Sequence, residues 1–425
     1  MQNLPRIAIL LLRGLEGCGV TNYCRHLKAY YDSVDVKCEI FVLQEKKIGR
    51  ADTSTDISTT RFTFEEKSSI VNRINSEFDL SLVFSVPAKS FSEKIKNTYV
   101  SDILAKLKSP KWMVNLDHHA LSFSRNADYK NAIETCDGVL CYSLKETKSG
   151  FIGWLKKNDV NTTIKNIDNF FHVPFLESKI SLERGERKKR IIYAGRAVAW
   201  KRGSLSLNLH KPAAKRGFIS EMIGFERSIA GFTQLNNYEG KLTWFTTDEF
   251  YKPIKGPSAF SSSPINSKLF EFLDKNGQDP NIMYVMGSYD YKEGMDRVAN
   301  SGFAIHPRSF EHNKLCYGNN FEFQGLEAAL LSVPIFHRHF LDNVYFPDTT
   351  TSLTDSGILL SIDDDNTHLK QGGPQILNVE EFCDNLNEIW NSESKYKKMR
   401  EASVDMVNTY YSSSVVIPRI LNRIL

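Results

Sequence analysis

Arg13-Gly14-Leu15-Glu16-Gly17-Cys18-Gly19-Val20-Thr21 follows the apolar run Arg6–Leu12 and leads into the amphipathic run Asn22–Tyr31. A strand, a glycine turn and a helix in that order open a doubly wound α/β unit. The three glycines let backbone N–H groups approach a ligand closely, and the helix N-terminus adds a partial positive charge that suits phosphate. No Gly-Lys-Ser/Thr follows, so this is not a Walker loop, and the glycine spacing is not Gly-x-Gly-x-x-Gly.

Outward from that loop the alternation continues. Lys37–Leu43, Ser81–Val86, Trp112–Leu116 and Gly138–Tyr142 read as strands, with helices at Glu65–Phe78 and Ser90–Lys106 and a polar loop at Ala51–Thr60. At 177–189 (ESKISLERGERKK) there is almost nothing to bury, which marks a linker. The alternation then restarts with strands at Arg190–Ala194, Phe218–Gly224, Ile282–Gly287, Gly302–His306, Pro334–His337 and Ile358–Ile362. Helical patterns cover Tyr291–Asn300, Phe321–Leu331, Val379–Trp390 and Glu393–Tyr410, and a last one reaches Leu425. Near-continuous apolar strands between helices indicate parallel sheets covered on both faces. The expected organisation is a Rossmann-like domain at 1–176, a linker at 177–189, a second Rossmann-like domain at 190–412 and a C-terminal helix at 413–425 packing back on the first. Two such domains place a ligand cleft outside the carboxyl ends of their sheets.

Composition narrows the function classes. With 425 residues, 41% hydrophobic and 24% charged, the chain can bury two cores and is not a disordered polymer. No apolar run approaches the roughly 18–20 residues of a membrane-spanning helix, and Ile7–Leu12 is shorter than the core of an export leader. Seven scattered cysteines without a Cys-x-x-Cys pair argue against a disulfide framework and a zinc site, and point to a reducing compartment. A net charge of +4 neither demands nor excludes nucleic acid.

Two further segments carry chemistry. Gly195-Arg196 with Trp200-Lys201 lies where the first strand of the second domain gives way to a helix, and Arg196 and Lys201 suit a diphosphate as a fork and a point charge. Glu322-Phe323-Gln324-Gly325-Leu326-Glu327 opens a helix whose glutamates can accept ribose hydroxyls. Asp117 and His118 end a strand of the first domain. Basic residues suited to a DNA-facing rim are Arg187–Arg190, Lys201, Arg202, His210, Lys211, Lys215 and Arg216. Asp363-Asp364-Asp365 superficially offers a metal-binding Asp-x-Asp, but its position after a late strand reads as an acidic turn, and no metal site is expected.

Together these segments resemble the retaining GT-B glycosyltransferases, in which the second domain ends Glu-Ala-x-Ala-x-Gly-x-Pro-Val. Here the run is Glu327-Ala328-Ala329-Leu330-Leu331-Ser332-Val333-Pro334-Ile335, with Ser332 where glycine is usual. Within that group the Arg13–Thr21 loop is similar to the T-even bacteriophage DNA α-glucosyltransferase family. So are Ser85-Val86-Pro87-Ala88, Asp117-His118 with Leu121-Ser122 and Arg125-Asn126, Asn169-Phe170, Gly195-Arg196, Glu226-Arg227-Ser228, Ser301-Gly302-Phe303 and Asp355-Ser356-Gly357-Ile358, in the same order along the chain.

The resemblance implies an α/β GT-B fold and transfer from a UDP-sugar to 5-hydroxymethylcytosine in double-stranded phage DNA, protecting it from nucleases in the cytoplasm of the infected host. It implies no added cofactor, no membrane and a monomer. Glu16, Gly17, Cys18 and Gly19 would face the diphosphate and sugar, Arg196 and Lys201 would neutralise the leaving diphosphate, Glu327 would hold the ribose and Glu322 would lie nearer the sugar. Asp117 would orient or deprotonate the acceptor, with His118 beside it. The phage member has histidine immediately before this aspartate, and here the residue is Leu116. Loss of a polar contact that serves a hexose 6-hydroxyl makes arabinose a rival to glucose as the sugar transferred. Two alternatives carry their own signatures. An enzyme acting on a surface polysaccharide or lipid should show a basic-aromatic docking helix near the N-terminus, and a non-catalytic DNA binder has no need of Arg196, Lys201 and Glu327.

Overall fold

Ile7–Leu11 (β1) is apolar at every position and buried at every position, as a central parallel strand must be when helices cover both of its faces. The structure, a computed structural model, describes residues 4–12, 19–43, 58–84, 100–116, 127–141, 151–167, 170, 172, 187–195, 204–224, 241–245, 267–286, 291–306, 311–312, 315–316, 323–337, 361–362, 376–377 and 379–425. The chain divides into two compact units: Met1–Phe175 with Glu311–Asn320 and Tyr411–Leu425, and Leu176–Phe310 with Phe321–Tyr410.

In the first unit, β1 is joined by Cys38–Leu43 (β2), Thr59–Phe62 (β3), Leu80–Phe84 (β4), Lys111–Asn115 (β5), Gly138–Cys141 (β6) and Ile164–Asn166 (β7). Among the described residues they form a seven-stranded sheet in the order β3-β2-β1-β4-β5-β6-β7, and each neighbouring pair is parallel. Helix Gly19–Ser33 (α1) follows β1, and Lys67–Glu77 (α2) precedes β4. Leu10, Phe41, Val83, Met113, Val139, Ile74 and Trp154 share one core. Thr59 and Thr60, expected in a polar loop, instead open edge strand β3. The β-branched pair suits a pleated edge, and the Thr60 hydroxyl donates to Glu39, which Arg73 also holds at 2.6 Å. The expected helix at Ser90–Lys106 is described only at Val100–Leu104.

The C-terminal helix Ser413–Ile424 belongs to this unit, packs against α1 and β7, and buries Val416, Ile417, Ile420, Leu421 and Ile424. Three polar groups pin its start. The backbone N–H of His172 donates to His26 Nδ1 on α1 at 3.3 Å, and His172 Nδ1 lies 3.0 Å from the Ser413 hydroxyl.

The second unit repeats the plan with Lys188–Ala194 (β8), Ile219–Ile223 (β9), Lys241–Phe245 (β10), Ile282–Met286 (β11), Ser301–His306 (β12) and Ile335–His337 (β15); the antiparallel pair Glu311–His312 (β13) and Leu315–Cys316 (β14), which falls between the last two in sequence, is grouped with the first unit. The sheet order is β10-β11-β9-β8-β12-β15, again parallel throughout. Helices Val379–Asn391 and Glu393–Met406 cover it, and Trp390 lies so close to β12 that a Cβ on Gly302 would sit 2.6 Å from its Cζ3. Only glycine fits there.

Strand β8 takes in Lys188 and Lys189, which the sequence places in a linker, and this corrects the reading of the basic run. Arg190 has no exposed side-chain surface and pairs with Glu221 and Asp274, while Arg187 donates to the carbonyls of Leu331 and Ser301. Lys189 bonds Asn387 and lies over the Phe218 ring. His210 is buried against the Asn281 carbonyl, and Lys215 and Arg216 pair with Glu380 and Asp384. Arg187, Arg190 and His210 are thus interior groups of the second unit, unavailable to a DNA backbone. Lys201 and Arg202, named with them, lie outside the described residues.

Candidate functional site

In the first sheet the strand order reverses between β1 and β4: β2 and β3 continue on one side, β5 to β7 on the other. In an open α/β sheet such a reversal leaves a crevice at the carboxyl ends of the two strands. The Leu12 N–H donates to the Phe84 carbonyl at 3.1 Å, so these carboxyl ends are tied together. Gly19, the last glycine of the loop reading, opens α1, a helix of 15 residues with no acidic side chain in its first turn. The helix dipole makes that end receptive to an anion. Glu16, Gly17 and Cys18 lie outside the described residues, in the span 13–18 that joins β1 to α1.

Asp117 and His118 also lie outside the described residues. The chain enters them from the carboxyl end of β5, through Asn115 and the half-buried Leu116. In the second sheet the reversal falls between β8 and β12. At the carboxyl end of β8 the Gly195 N–H donates to the Ile223 carbonyl at 2.8 Å, and Arg196 is the next residue. Arg196, Lys201 and Glu322 are outside the described residues. Glu327 is described: it lies within helix Phe323–Leu330, which packs on β12 and β15, and it is buried at 1% exposure. Asp363–Asp365 is likewise outside the described residues, and among those described no group of His, Cys, Asp or Glu is arranged to hold a metal ion.

Of the predicted segments, the described residues therefore place Gly19 after the carboxyl end of β1, beside the reversal point of the first sheet, and Gly195 at the carboxyl end of β8, beside that of the second. Two polar residues that the motif reading passed over are buried in the first unit. Asn115, 4% exposed, ends the otherwise buried run Trp112–Val114, and Arg25, also 4% exposed, bonds Asn22 Oδ1 at 3.1 Å within α1. A polar residue closing an apolar strand was a visible signal for the first; nothing in the helix pattern singled out the second.

The electrostatics of α1 are set by burial. His26 is driven down to about 3 by desolvation, with the neighbouring His172 and Arg25 adding to the effect, so its imidazole is neutral and accepts through Nδ1. Cys24, Cys38, Cys136, Cys141 and Cys383 are thiols rather than disulfides.

No protein-family model matches the chain. Over 431 residues it is 22% identical to the DNA alpha-glucosyltransferase of Enterobacteria phage T4, covering 96% of this chain and 97% of that enzyme. A solved alpha-glucosyltransferase in complex with UDP has a TM-score of 0.77 at 19% identity, over 99% of this chain and 100% of the other. The enzyme with UDP and a 13-mer DNA containing an HMU base also gives 0.77, at 20% identity over 99% of each chain. Anabaena HepE in complex with UDP and glucose is more distant, with a TM-score of 0.53 at 11% identity over 99% of each chain. The chain is thus a distant homologue, matched along nearly its whole length, of the phage T4 DNA alpha-glucosyltransferase, and it has the GT-B fold.

Proposed function

We propose that this protein transfers a sugar from a UDP-sugar to DNA, with the hydroxymethyl oxygen of 5-hydroxymethylcytosine as acceptor. The observation that carries the reading is the match along 96% of the chain to a DNA alpha-glucosyltransferase. Supporting it, the loop, Asp117 and Arg196 segments issue from the carboxyl edges of two parallel sheets, where nucleotide ligands bind in this architecture. Solved relatives of the same fold hold UDP or UDP-glucose together with DNA.

In this reading the loop Glu16–Gly19 and the N-terminus of α1 cradle the diphosphate and sugar. Glu327 accepts the ribose hydroxyls, and Glu322 lies nearer the sugar. Arg196 and Lys201 meet the negative charge that grows on the diphosphate as the bond from the anomeric carbon to the β-phosphate oxygen breaks. Asp117 orients the acceptor hydroxyl and takes its proton, beside His118, as the new bond forms on the face that UDP leaves. The anomeric configuration is therefore retained. No cofactor beyond the donor is needed, the enzyme works as a monomer, and its place of action is the cytoplasm of a phage-infected bacterium.

Leu116 is the donor-selecting position. A leucine there offers no partner to a hexose 6-hydroxyl, and an unpaired polar group in a buried sugar site discriminates by orders of magnitude. The test is to incubate the protein with hydroxymethylcytosine DNA and either UDP-glucose or UDP-arabinose, then weigh the nucleosides after digestion. A sugar adduct is expected, with the pentose favoured and with Leu116→His shifting the ratio toward hexose. A hexose adduct alone, or an unchanged ratio in the variant, sinks the Leu116 argument. No adduct from either donor while UDP still binds means that the acceptor is wrong.

A further inference from the structure

The helix that carries Glu327 ends on a turn gripped by two buried arginines of the same unit. Leu331 N–H donates to the Glu327 carbonyl at 3.0 Å, Ser332 N–H to Ala329 at 2.9 Å and Val333 N–H to Ala328 at 2.9 Å. This is the Schellman arrangement, whose residue after the cap adopts the left-handed conformation and is usually glycine. Ser332 occupies that position with φ of 61°. A residue with a Cβ is disfavoured there, so something must hold it.

Arg400 supplies that hold. Its Nε donates to the Ser332 hydroxyl oxygen at 3.1 Å, and its guanidinium lies over the Tyr396 ring, 5.9 Å from the centroid. Tyr396 in turn donates its hydroxyl to the Gly302 carbonyl of β12 at 2.8 Å. Arg187 takes the other side of the turn: its Nη2 donates to the Leu331 carbonyl at 3.0 Å and its Nη1 to the Ser301 carbonyl at 3.5 Å. Leu331 therefore links Arg187 to the backbone of Glu327 through two hydrogen bonds. Both arginines are at least 92% buried, and two cations at a helix C-terminus match the sign of its dipole. A single glycine would close the same turn without burying either charge.

We propose that Arg187 and Arg400 are positioning residues for the donor site: they set the axial position and rotation of the Glu327 helix through its C-terminal cap, with the Arg400–Ser332 pair in place of the glycine. The proposal rests on the reading of Glu327 as the ribose-binding carboxylate. Both arginines act through the turn that ends the helix, about one helical turn from the carboxylate.

Calorimetry of UDP binding and steady-state kinetics on the whole chain test it with four variants: Glu327→Gln, Arg400→Met, Ser332→Gly, and Arg400→Met combined with Ser332→Gly. Arg400→Met should weaken UDP on the order of tenfold, as small misplacements of a positioned group do, and raise KM for the UDP-sugar without changing KM for DNA. Adding Ser332→Gly should restore most of the lost affinity, because glycine takes the left-handed turn without an anchor. That rescue is the readout a general stabilising role would not produce. Wild-type UDP affinity in Arg400→Met, or a loss that Ser332→Gly does not repair, overturns the clamp alone. Unchanged UDP affinity in Glu327→Gln removes the ribose reading and the clamp with it. Should Arg400→Met not fold, Arg400→Lys, which keeps the charge and lacks the Nε donor, is read by the same outcomes.

Discussion

Glu221 on β9 has no exposed side-chain surface and stands between Arg190 at 2.9 Å and Arg297, which grips both of its oxygens. Gln278 donates to it at 2.6 Å, and Asp274 receives a second contact from each arginine. Burial alone would raise this carboxyl, but the two guanidiniums outweigh it and hold it well below the ordinary carboxylate range. A depressed carboxyl contributes stability that is complete above its unfolded value and drains away as pH falls toward the folded one. Glu221→Gln leaves two guanidiniums buried without that partner and should cost the second unit about 3–5 kcal/mol, read as a lower denaturant midpoint. A shift below about 1 kcal/mol would mean that Asp274 alone neutralises the pair. None of this was legible in the sequence. In ERGERKKR the residue Arg190 looks like one more solvated charge, and its partner Asp274 lies 84 positions away.

Among the elements, α1 joins two tasks: its first turn faces the carboxyl edge of the first sheet, and His26 on its second turn anchors the chain near residue 172. His26 is neutral when folded, with its titration near 3, and regains an ordinary value near 6.5 when the chain unfolds. Between those values the unfolded chain binds a proton that the folded one refuses, so stability falls as pH drops through 6.5. The first unit should lose about 1.4 kcal/mol by about pH 5.5 from this group alone. Urea unfolding from neutral to mildly acidic pH should show that slope in the wild type and a shallower one in His26→Gln, which can still accept from the His172 N–H. Equal slopes would assign the acid sensitivity to other groups. The strands themselves were readable: β1, β2, β5, β6, β9, β11 and β12 fall within one or two residues of the apolar runs that announce them. The edge strand β3 was not, because Thr-Thr-Arg-Phe carries polarity that only its pairing with β2 explains.

At the scale of the molecule the first unit is assembled from segments far apart in sequence, Met1–Phe175, Glu311–Asn320 and Tyr411–Leu425. The last helix buries five branched apolar side chains, at about 1.5–3 kcal/mol each, an upper sum on the order of 10 kcal/mol and comparable with the whole stability of a typical domain. Truncation after Tyr411 should therefore unfold or loosen the first unit although the cut lies nearly 250 positions beyond β7 (411 − 166 = 245). Hydrogen exchange should show lost protection in α1 and β7 while β8 and β9 stay protected. Protection lost first from β8 and β9 would place the helix energetically with the second unit.

The sequence alone determined the fold class and marked the candidate segments for chemistry, because both signals are written locally. Buried parallel strands are apolar at every position, helices repeat their apolar residues every three to four, and a glycine turn between the two sets where a ligand can approach. Glu327 and its cap were visible in the same way, down to the serine where glycine was expected. Only the tertiary structure decided which charges are interior. It turned Arg187 and Arg190 from surface cations into a helix clamp and a buried ion pair, and it gave Ser332 a partner 68 positions away. A charge in sequence has no sign of burial; its environment is supplied by residues that meet it only when the chain has folded.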